Sequence, residues 1–200
     1  RRPTADEQLF NITALMAAYV FTRILILLSL RLEQVSFVAN DVSYYTAYLF
    51  QLEQGDASAM REYPMPAVWI LQAIYTLGGG WEEWTPWYSA TMLLLDVAVA
   101  VTLYRRTNIT ATLFWILFTG AQGAIMWFRF DLIPAALVAW ACVLLLRRPA
   151  VSGALLGLGA AIKLWPALLI GPLLAPDPLR PGPARRRLLG FGIAGLGLAL

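Results

Sequence analysis

The apolar runs of this chain limit its possible folds more than any other feature of the sequence. Residues 10–30 read FNITALMAAYVFTRILILLSL, and Arg23 is the one charged residue among them. A helix needs about 20 mostly apolar residues to cross the hydrocarbon core of a bilayer. The composition agrees, because 60% of the residues are hydrophobic and 14% are charged, against about 45–50% and about 25% in a soluble domain. The run therefore predicts a membrane-spanning helix.

Further runs of the same kind predict that the chain crosses the membrane several times. They cover residues 87–104, 109–128, 132–146 and 151–174, and a last span opens near Leu188. The run at 66–78 is too short to span, and we expect it to lie flat in the outer interface. These patterns predict an all-α polytopic membrane protein with a single transmembrane domain over residues 1–200. We expect the sequence to be the N-terminal part of a longer protein.

The distribution of arginine indicates which side of the membrane each loop faces. Cytoplasmic loops carry an excess of Lys and Arg, and basic clusters lie at 1–2, 105–106, 147–148 and 185–187. Placing all four in the cytoplasm makes residues 32–86 one large extracytoplasmic loop with interfacial helices. The run at 151–174 then crosses twice, as two half-length helices that turn at 163–166, or once, with the 185–187 cluster outside. A broken pair requires a cavity around the turn.

The missing residue types exclude several kinds of chemistry. The chain has no His, and its one cysteine, Cys142, lies in an apolar run. Triads built on His, zinc sites and disulfide frameworks are therefore excluded, and no cofactor is predicted. The net charge of +3 is small and scattered, so a nucleic-acid partner is excluded as well. Acid–base work has to be done by Asp, Glu, Tyr or Lys side chains.

Asp41 is the first acid in the outer loop that is a candidate for this work. It lies in the stretch FVANDVSYY, directly before a predicted helix over residues 42–53. Asn40 and Asp41 both suit an N-cap, which contributes about 1 kcal/mol. From position alone, a capping role and a reactive role both remain open for Asp41, and the two are compatible if Asn40 provides the cap.

Two other residues of the outer loop are candidates for a binding role. Tyr45 belongs to a group of tyrosines that either anchors the helix in the headgroup layer or stacks on a sugar. Glu62 lies in REYPMP, beside Arg61. Glu62 is therefore either a solvated acid paired with Arg61 or part of a site at the membrane surface.

Charged residues also occur inside the apolar runs, where they are costly unless they are paired, solvated or functional. Arg129 and Asp131 lie in WFRFDLIP, at the outer end of a predicted span, and we expect them to pair with each other or to serve a site. Lys163 is the single lysine, in AAIKLWPALLI. It either snorkels to a helix end or binds an anion such as a lipid phosphate. Asp96 is a possible partner for Arg23.

These motifs, in this order along the chain, resemble those of glycosyltransferase family 87, a group of polytopic glycosyltransferases of the GT-C type. The matching pieces are the first span, FVANDVSYY, EYPMP, RFDLIPAAL and AAIKLWPALL. The resemblance covers nearly all of the chain and the N-terminal half of such an enzyme. It implies an inverting hexosyltransferase of the plasma membrane that works on the extracytoplasmic side. The implied donor is a polyprenyl-phosphate sugar, and the implied acceptor is a glycolipid or cell-wall glycan hydroxyl. The enzyme would reach both substrates from the surrounding membrane lipid.

The resemblance also implies roles for individual residues. Asp41 matches the family's general base, and the substrate-binding candidates are Glu62, Tyr45, Arg129, Asp131 and Lys163. No metal is implied, although a divalent ion on Asp41 and Glu62 remains an alternative. The implied sugar is mannose, with arabinofuranose as the alternative in the same family. A transporter or flippase of a lipid-linked substrate is the alternative from another class, since broken helices also build transporter sites.

Overall fold

A computed structural model describes residues 4–32, 37–81, 84–171 and 183–196, and the regular elements within these ranges are all helical. The α-helices are α1 (Ala5–Ser29), α2 (Asn40–Glu53), α3 (Met65–Leu77), α4 (Trp84–Arg106), α5 (Ile109–Ala121), α6 (Ile125–Phe128), α7 (Leu132–Leu144), α8 (Pro149–Ile162) and α9 (Pro183–Leu196). Short 3₁₀ segments cover Phe37–Ala39 and Trp165–Leu169. The prediction of a helical membrane protein is confirmed.

Two of the described helices are long and apolar enough to cross a membrane. They are α1 and α4, in which an 18-residue stretch has a mean hydropathy of 1.9 and 1.4, respectively. The predicted span at 87–104 falls within α4, and the span at 10–30 falls within α1 except for Leu30, which follows the last residue of the helix. The other apolar helices are shorter, with 13 or 14 residues in α3, α5, α7 and α8. The full polytopic arrangement therefore stays a prediction.

The predicted span at 109–128 is interrupted, so the expectation of one continuous apolar helix there is wrong. Helix α5 ends at Ala121, and α6 adds only residues 125–128. Gly123 lies between them with φ +63°. This left-handed conformation costs glycine little and most other residues much more. The turn ends the helix, and the chain reaches Arg129 in an extended conformation.

The run at 151–174 is also broken, and here the break was predicted. Helix α8 ends at Ile162, and Lys163 follows in an extended conformation with φ −152° and ψ 133°. The 3₁₀ segment Trp165–Leu169 comes next. Because residues 172–182 lie outside the described residues, the choice between two crossings and one stays a prediction.

Glycines set the contact between α8 and α9. A Cβ atom on Gly153 would lie 1.9 Å from the carbonyl oxygen of Arg187, and one on Gly190 would lie 2.1 Å from that of Ala150. Small residues at such places let two helix backbones approach closely, as is common in membrane proteins. The close contact fixes α8, whose far end carries Lys163.

A buried ion pair joins α1 and α4, which confirms the suggested pairing of Arg23 with Asp96. The Nη2 atom of Arg23 lies 2.5 Å from Oδ2 of Asp96, and both side chains are buried. Tyr19 donates its hydroxyl to the same oxygen at 2.7 Å, and Trp115 donates its indole N–H to Oδ1 at 2.8 Å. Arg23 also donates to Thr119 in α5 at 2.6 Å. The carboxylate and the guanidinium are thus both supplied with hydrogen bonds.

Two helices of the predicted outer loop pack on the first half of α4. The predicted helices over 42–53 and 66–78 are observed as α2 and α3, and Gly55, with φ +93°, follows the end of α2. The indole N–H of Trp84 donates to the carbonyl oxygen of Val42 at 3.1 Å, which ties α4 to α2. The fully buried side chains of this layer include Val42, Leu49, Leu71, Trp84, Tyr88 and Met92. This apolar layer holds the start of α2 in place.

Candidate active site

One cavity of about 450 Å³ collects every site residue that the sequence singled out. Four separate segments form it: the start of α2, the stretch before α3, the link between α6 and α7, and the end of α8. The predicted site residues in its wall are Asp41, Tyr45, Glu62, Arg129, Asp131 and Lys163. The wall also contains Tyr44, Tyr63, Pro64, Phe130, Ile162 and Leu164.

The two helix breaks described above supply the cations of the cavity. Arg129 and Lys163 each come directly after the last residue of a helix, and both have extended backbones. Irregular backbone at membrane depth is tolerated where it lines a cavity. The ends of α6 and α8, where the two apolar runs lose their helical structure, therefore both lie at the cavity.

Each cation binds a carboxylate from another part of the chain, so the alternative in which Arg129 pairs with Asp131 is wrong. The Nε atom of Arg129 lies 2.7 Å from Oδ2 of Asp41. The Nζ atom of Lys163 lies 2.6 Å from Oδ1 of Asp131. Phe130, which separates Arg129 from Asp131, is buried, and its two charged neighbours turn to different partners.

The position of Asp41 in its helix bears on the question of capping. Helix α2 begins at Asn40, so both Asn40 and Asp41 lie within its first turn.

The ion pair of Asp41 is exposed. The Asp41 carboxylate contacts Arg129 and remains 37% exposed, while the Arg129 side chain is 53% exposed. Ion pairs this exposed contribute about 0–1 kcal/mol. Both groups are therefore accessible to a molecule that enters the cavity.

An aromatic cluster forms part of the cavity wall. The rings of Tyr45, Tyr63 and Phe130 meet edge to face, with centroids 5.8–6.1 Å apart. Burial is the main cause that raises the pKa of Tyr45, with Tyr63 and the Asp41 charge adding to it. Tyr45 is only 5% exposed, so its ring supports the wall and offers little surface to a ligand.

Glu62 has a partner that the sequence did not indicate. The hydroxyl of Tyr44 donates a hydrogen bond to Oε1 of Glu62. This hydrogen bond lowers the pKa of Glu62 and raises that of Tyr44. Sequence reasoning gave Tyr44 only an anchoring or stacking role shared with its neighbours. Its spacing of three residues from Asp41, which puts both on one helix face, is the signal that could have selected it.

Counted over the described residues of its wall, the charges of the cavity leave a small negative excess. Its wall carries three carboxylates, from Asp41, Glu62 and Asp131, and two cations, from Arg129 and Lys163. Among the residues that the structure describes, no group of three or more His, Cys, Asp or Glu side chains is arranged to hold a metal ion. The arrangement offers a carboxylate that can accept a proton, next to cations that can bind an anion.

Comparison with known families decides the class of this protein. The family model described as glycosyltransferase family 87 matches residues 62–200. The chain belongs to glycosyltransferase family 87. Searches of curated proteins and of solved structures give no significant match. The family 87 match begins at Glu62 and includes Arg129, Asp131 and Lys163. The match does not include α2. The candidate role of Asp41 in this family 87 chain therefore depends on its position in the wall of the cavity.

Proposed function

We propose that this membrane glycosyltransferase moves a sugar, mannose, from a polyprenyl-phosphate donor to a hydroxyl of a glycolipid or cell-wall glycan. The transfer inverts the anomeric centre. The observation that carries the proposal is the position of the Asp41 carboxylate in one cavity with the only lysine of the chain and with Arg129. A base beside two anion-binding groups is the arrangement that such a displacement needs.

Asp41 is the proposed general base. It accepts the proton of the acceptor hydroxyl while the acceptor oxygen attacks the anomeric carbon on the face opposite the phosphate. The new C–O bond forms as the bond from the anomeric carbon to the phosphate oxygen breaks, and its electron pair leaves with the polyprenyl phosphate. Proton transfer of this kind contributes about 10²–10⁴-fold to the rate.

Arg129 and Lys163 are the proposed binders of the donor phosphate. The leaving phosphate takes up negative charge, and fixed cations stabilise such charge without reorganising during the reaction. Both cations are about half exposed in their ion pairs, so a phosphate oxygen can replace one carboxylate oxygen at modest cost. Asp131 is the group that holds Lys163 before the donor arrives.

The orientation of α4 supports an extracytoplasmic site in the plasma membrane. Arg105 and Arg106 form the last turn of α4, and basic residues of this kind favour the cytoplasmic end of a span. Trp84, at the other end of α4, contacts Val42 in α2. This orientation supports a position of α2 and Asp41 at the outer leaflet, from which the proposed polyprenyl-phosphate donor is reached.

The test is transfer by the full-length protein in liposomes, with polyprenyl-phosphate mannose and polyprenyl-phosphate arabinofuranose as alternative donors. Asp41→Asn is expected to lower the transfer rate by about 10²–10⁴-fold while the protein level stays constant. The matched control is Asp56→Asn, because Asp56 is an exposed acid of the same outer layer that hydrogen-bonds Ser58. Retained transfer by Asp41→Asn would overturn the role of the base. Transfer of arabinofuranose and not of mannose would overturn the assignment of mannose as the transferred sugar.

A further inference from the structure

The wall of the cavity is divided between an anion-binding part and a part of different chemistry. Arg129 and Lys163 mark the first part. The second part contains Glu62 and Tyr44, which are hydrogen-bonded to each other, together with Pro64. The two cations of the wall are engaged with Asp41 and Asp131, so Glu62 makes its contact with a neutral hydroxyl.

The second part is suited to a neutral polyhydroxy ligand. An ionised carboxylate only accepts hydrogen bonds, and Tyr44 keeps the pKa of Glu62 low, so the group is charged at neutral pH. The ring of Tyr44 lies 4.4 Å from that of Tyr48 and 6.4 Å from that of Tyr63. The negative face of an aromatic ring favours the weakly positive C–H face of a sugar. A phosphate would be repelled by the Glu62 charge.

We infer that Tyr44 and Glu62 form the acceptor subsite, which holds the sugar ring that bears the attacking hydroxyl. The inference rests on the proposed function and adds a division of the cavity between its two substrates. Glu62 accepts a hydrogen bond from a hydroxyl of this ring that does not react, and Tyr44 packs against the ring.

The position of Asp41 fits this division. Asp41 and Tyr44 are three residues apart on α2, a spacing that brings their Cβ atoms to about 5–6 Å. This is close to the width of one sugar ring. A ring held on Tyr44 therefore presents one of its hydroxyls to the Asp41 carboxylate. On its other side Asp41 contacts Arg129, where the donor phosphate belongs.

The test measures the KM for the acceptor and the KM for the donor separately in the full-length enzyme. A hydrogen bond to a charged group contributes about 1.5–3 kcal/mol, or about 10–150-fold. Glu62→Gln keeps an acceptor oxygen and loses the charge, so it is expected to raise the KM for the acceptor by about 5–10-fold and to leave the KM for the donor within about twofold. Lys163→Ala is expected to show the reverse pattern. Tyr44→Leu, which removes the ring, should act like Glu62→Gln.

The chain offers a matched control in a second pair of the same kind. Tyr75 donates its hydroxyl to Oε2 of Glu53 at 3.2 Å, and neither residue lies in the wall of the cavity. Glu53→Gln removes the same chemistry from the same helix as Tyr44. It is expected to change neither Michaelis constant.

A structural role of Glu62 would be recognised with deoxy acceptors. The wild-type enzyme is expected to discriminate against the one deoxy analogue that lacks the hydroxyl bound by Glu62, because that carboxylate then loses its partner. Glu62→Gln should lose most of this discrimination. An unchanged acceptor KM, an equal rise in the donor KM, or unchanged discrimination would each overturn the inference.

Direct binding of octyl mannoside distinguishes failure of the inference from failure of the proposed function. Binding that Glu62→Gln weakens and Lys163→Ala leaves unchanged supports the acceptor subsite, even if no polyprenyl-phosphate donor is used. Transfer from such a donor with no effect of Glu62→Gln on octyl mannoside binding overturns the subsite and leaves the proposed function standing.

Discussion

Two Arg–Asp pairs in this chain use the same chemical groups in opposite surroundings. Arg23 and Asp96 join α1 to α4 at 2.5 Å, with side chains that are 6% and 0% exposed. Arg129 and Asp41 meet across the cavity at 2.7 Å, with side chains that are 53% and 37% exposed. The distances are similar, and the burial differs completely.

This difference separates a structural pair from a candidate functional one. The buried carboxylate of Asp96 also accepts hydrogen bonds from Tyr19 and Trp115, so it has no accessible position for a ligand. The exposed pair in the cavity can exchange a partner at a cost of about 1 kcal/mol or less. A charged residue in an apolar run therefore indicates function only when its surroundings leave it accessible.

The largest effect is expected from breaking the buried pair. Asp96→Ala leaves the Arg23 guanidinium buried without its counter-charge, which costs about 3–5 kcal/mol. Asp41→Ala removes an exposed partner and should cost about 1 kcal/mol or less. The measurement is the free energy of unfolding in detergent micelles. Equal losses in the two variants would remove the distinction between the pairs.

The double variant Arg23→Met with Asp96→Leu controls this prediction. Replacing a whole buried ion pair by apolar groups of similar size is often neutral or stabilising. The double variant should therefore be more stable than Asp96→Ala alone. If it is no more stable, the loss in Asp96→Ala comes from the packing of the side chain and not from the unpaired charge.

The close contact between α8 and α9, which precedes Lys163 in the chain, is expected to contribute to the free energy of unfolding. Gly153→Ala places a Cβ atom 1.9 Å from the carbonyl oxygen of Arg187, and this overpacking should cost about 1–3 kcal/mol. Gly192→Ala in α9 is the matched control, since a Cβ atom there meets nothing within 4 Å. The free energy of unfolding should fall in the first variant and not in the second. Helix propensity favours Ala over Gly at both positions, so a similar change in both variants would mean that the close approach at Gly153 does not control stability.

The sequence predicted the helices better than it predicted the contacts between charged side chains. Hydrophobic periodicity gave α2 and α3 to within two residues, and the motif AAIKLWPALL gave the break at Lys163. The turn at Gly123 was missed because one glycine in an apolar run does not by itself end a helix. The catalytic and binding roles of the site residues stay predictions.

The partners of the charged residues show where sequence reasoning ends. Arg129 and Asp131 are two residues apart, so local proximity favoured a pair. The observed partners, Asp41 for Arg129 and Lys163 for Asp131, come from distant parts of the chain. Such pairs depend on how α2 and α3 pack on α4, and residue spacing in a single sequence does not reveal this packing. Arg23 and Asp96 were easier to match because few charges lie within the first spans.

A smaller effect is expected when the exposed pair of Lys163 is loosened. Asp131→Asn removes the carboxylate that competes with the donor phosphate for Lys163. Because exposed pairs contribute about 0–1 kcal/mol, the KM for the donor should fall by up to about fivefold. The fall should shrink at high ionic strength, which screens exposed charges. A higher KM would instead mean that Asp131 orients Lys163 for the phosphate.

The smallest effect concerns the Tyr44–Glu62 pair and appears mainly in the pH dependence. The Tyr44 hydroxyl holds the pKa of Glu62 below its ordinary value of 4.5, so Tyr44→Phe should raise that pKa. The carboxylate is then protonated at a higher pH, and the acid limb of kcat/KM for the acceptor moves upward. At pH 7 Glu62 is ionised in both proteins, and kcat/KM should agree within about threefold. An acid limb that stays in place or moves downward would show that the ionised Glu62 carboxylate does not contribute to acceptor binding, since the ring is kept in this variant.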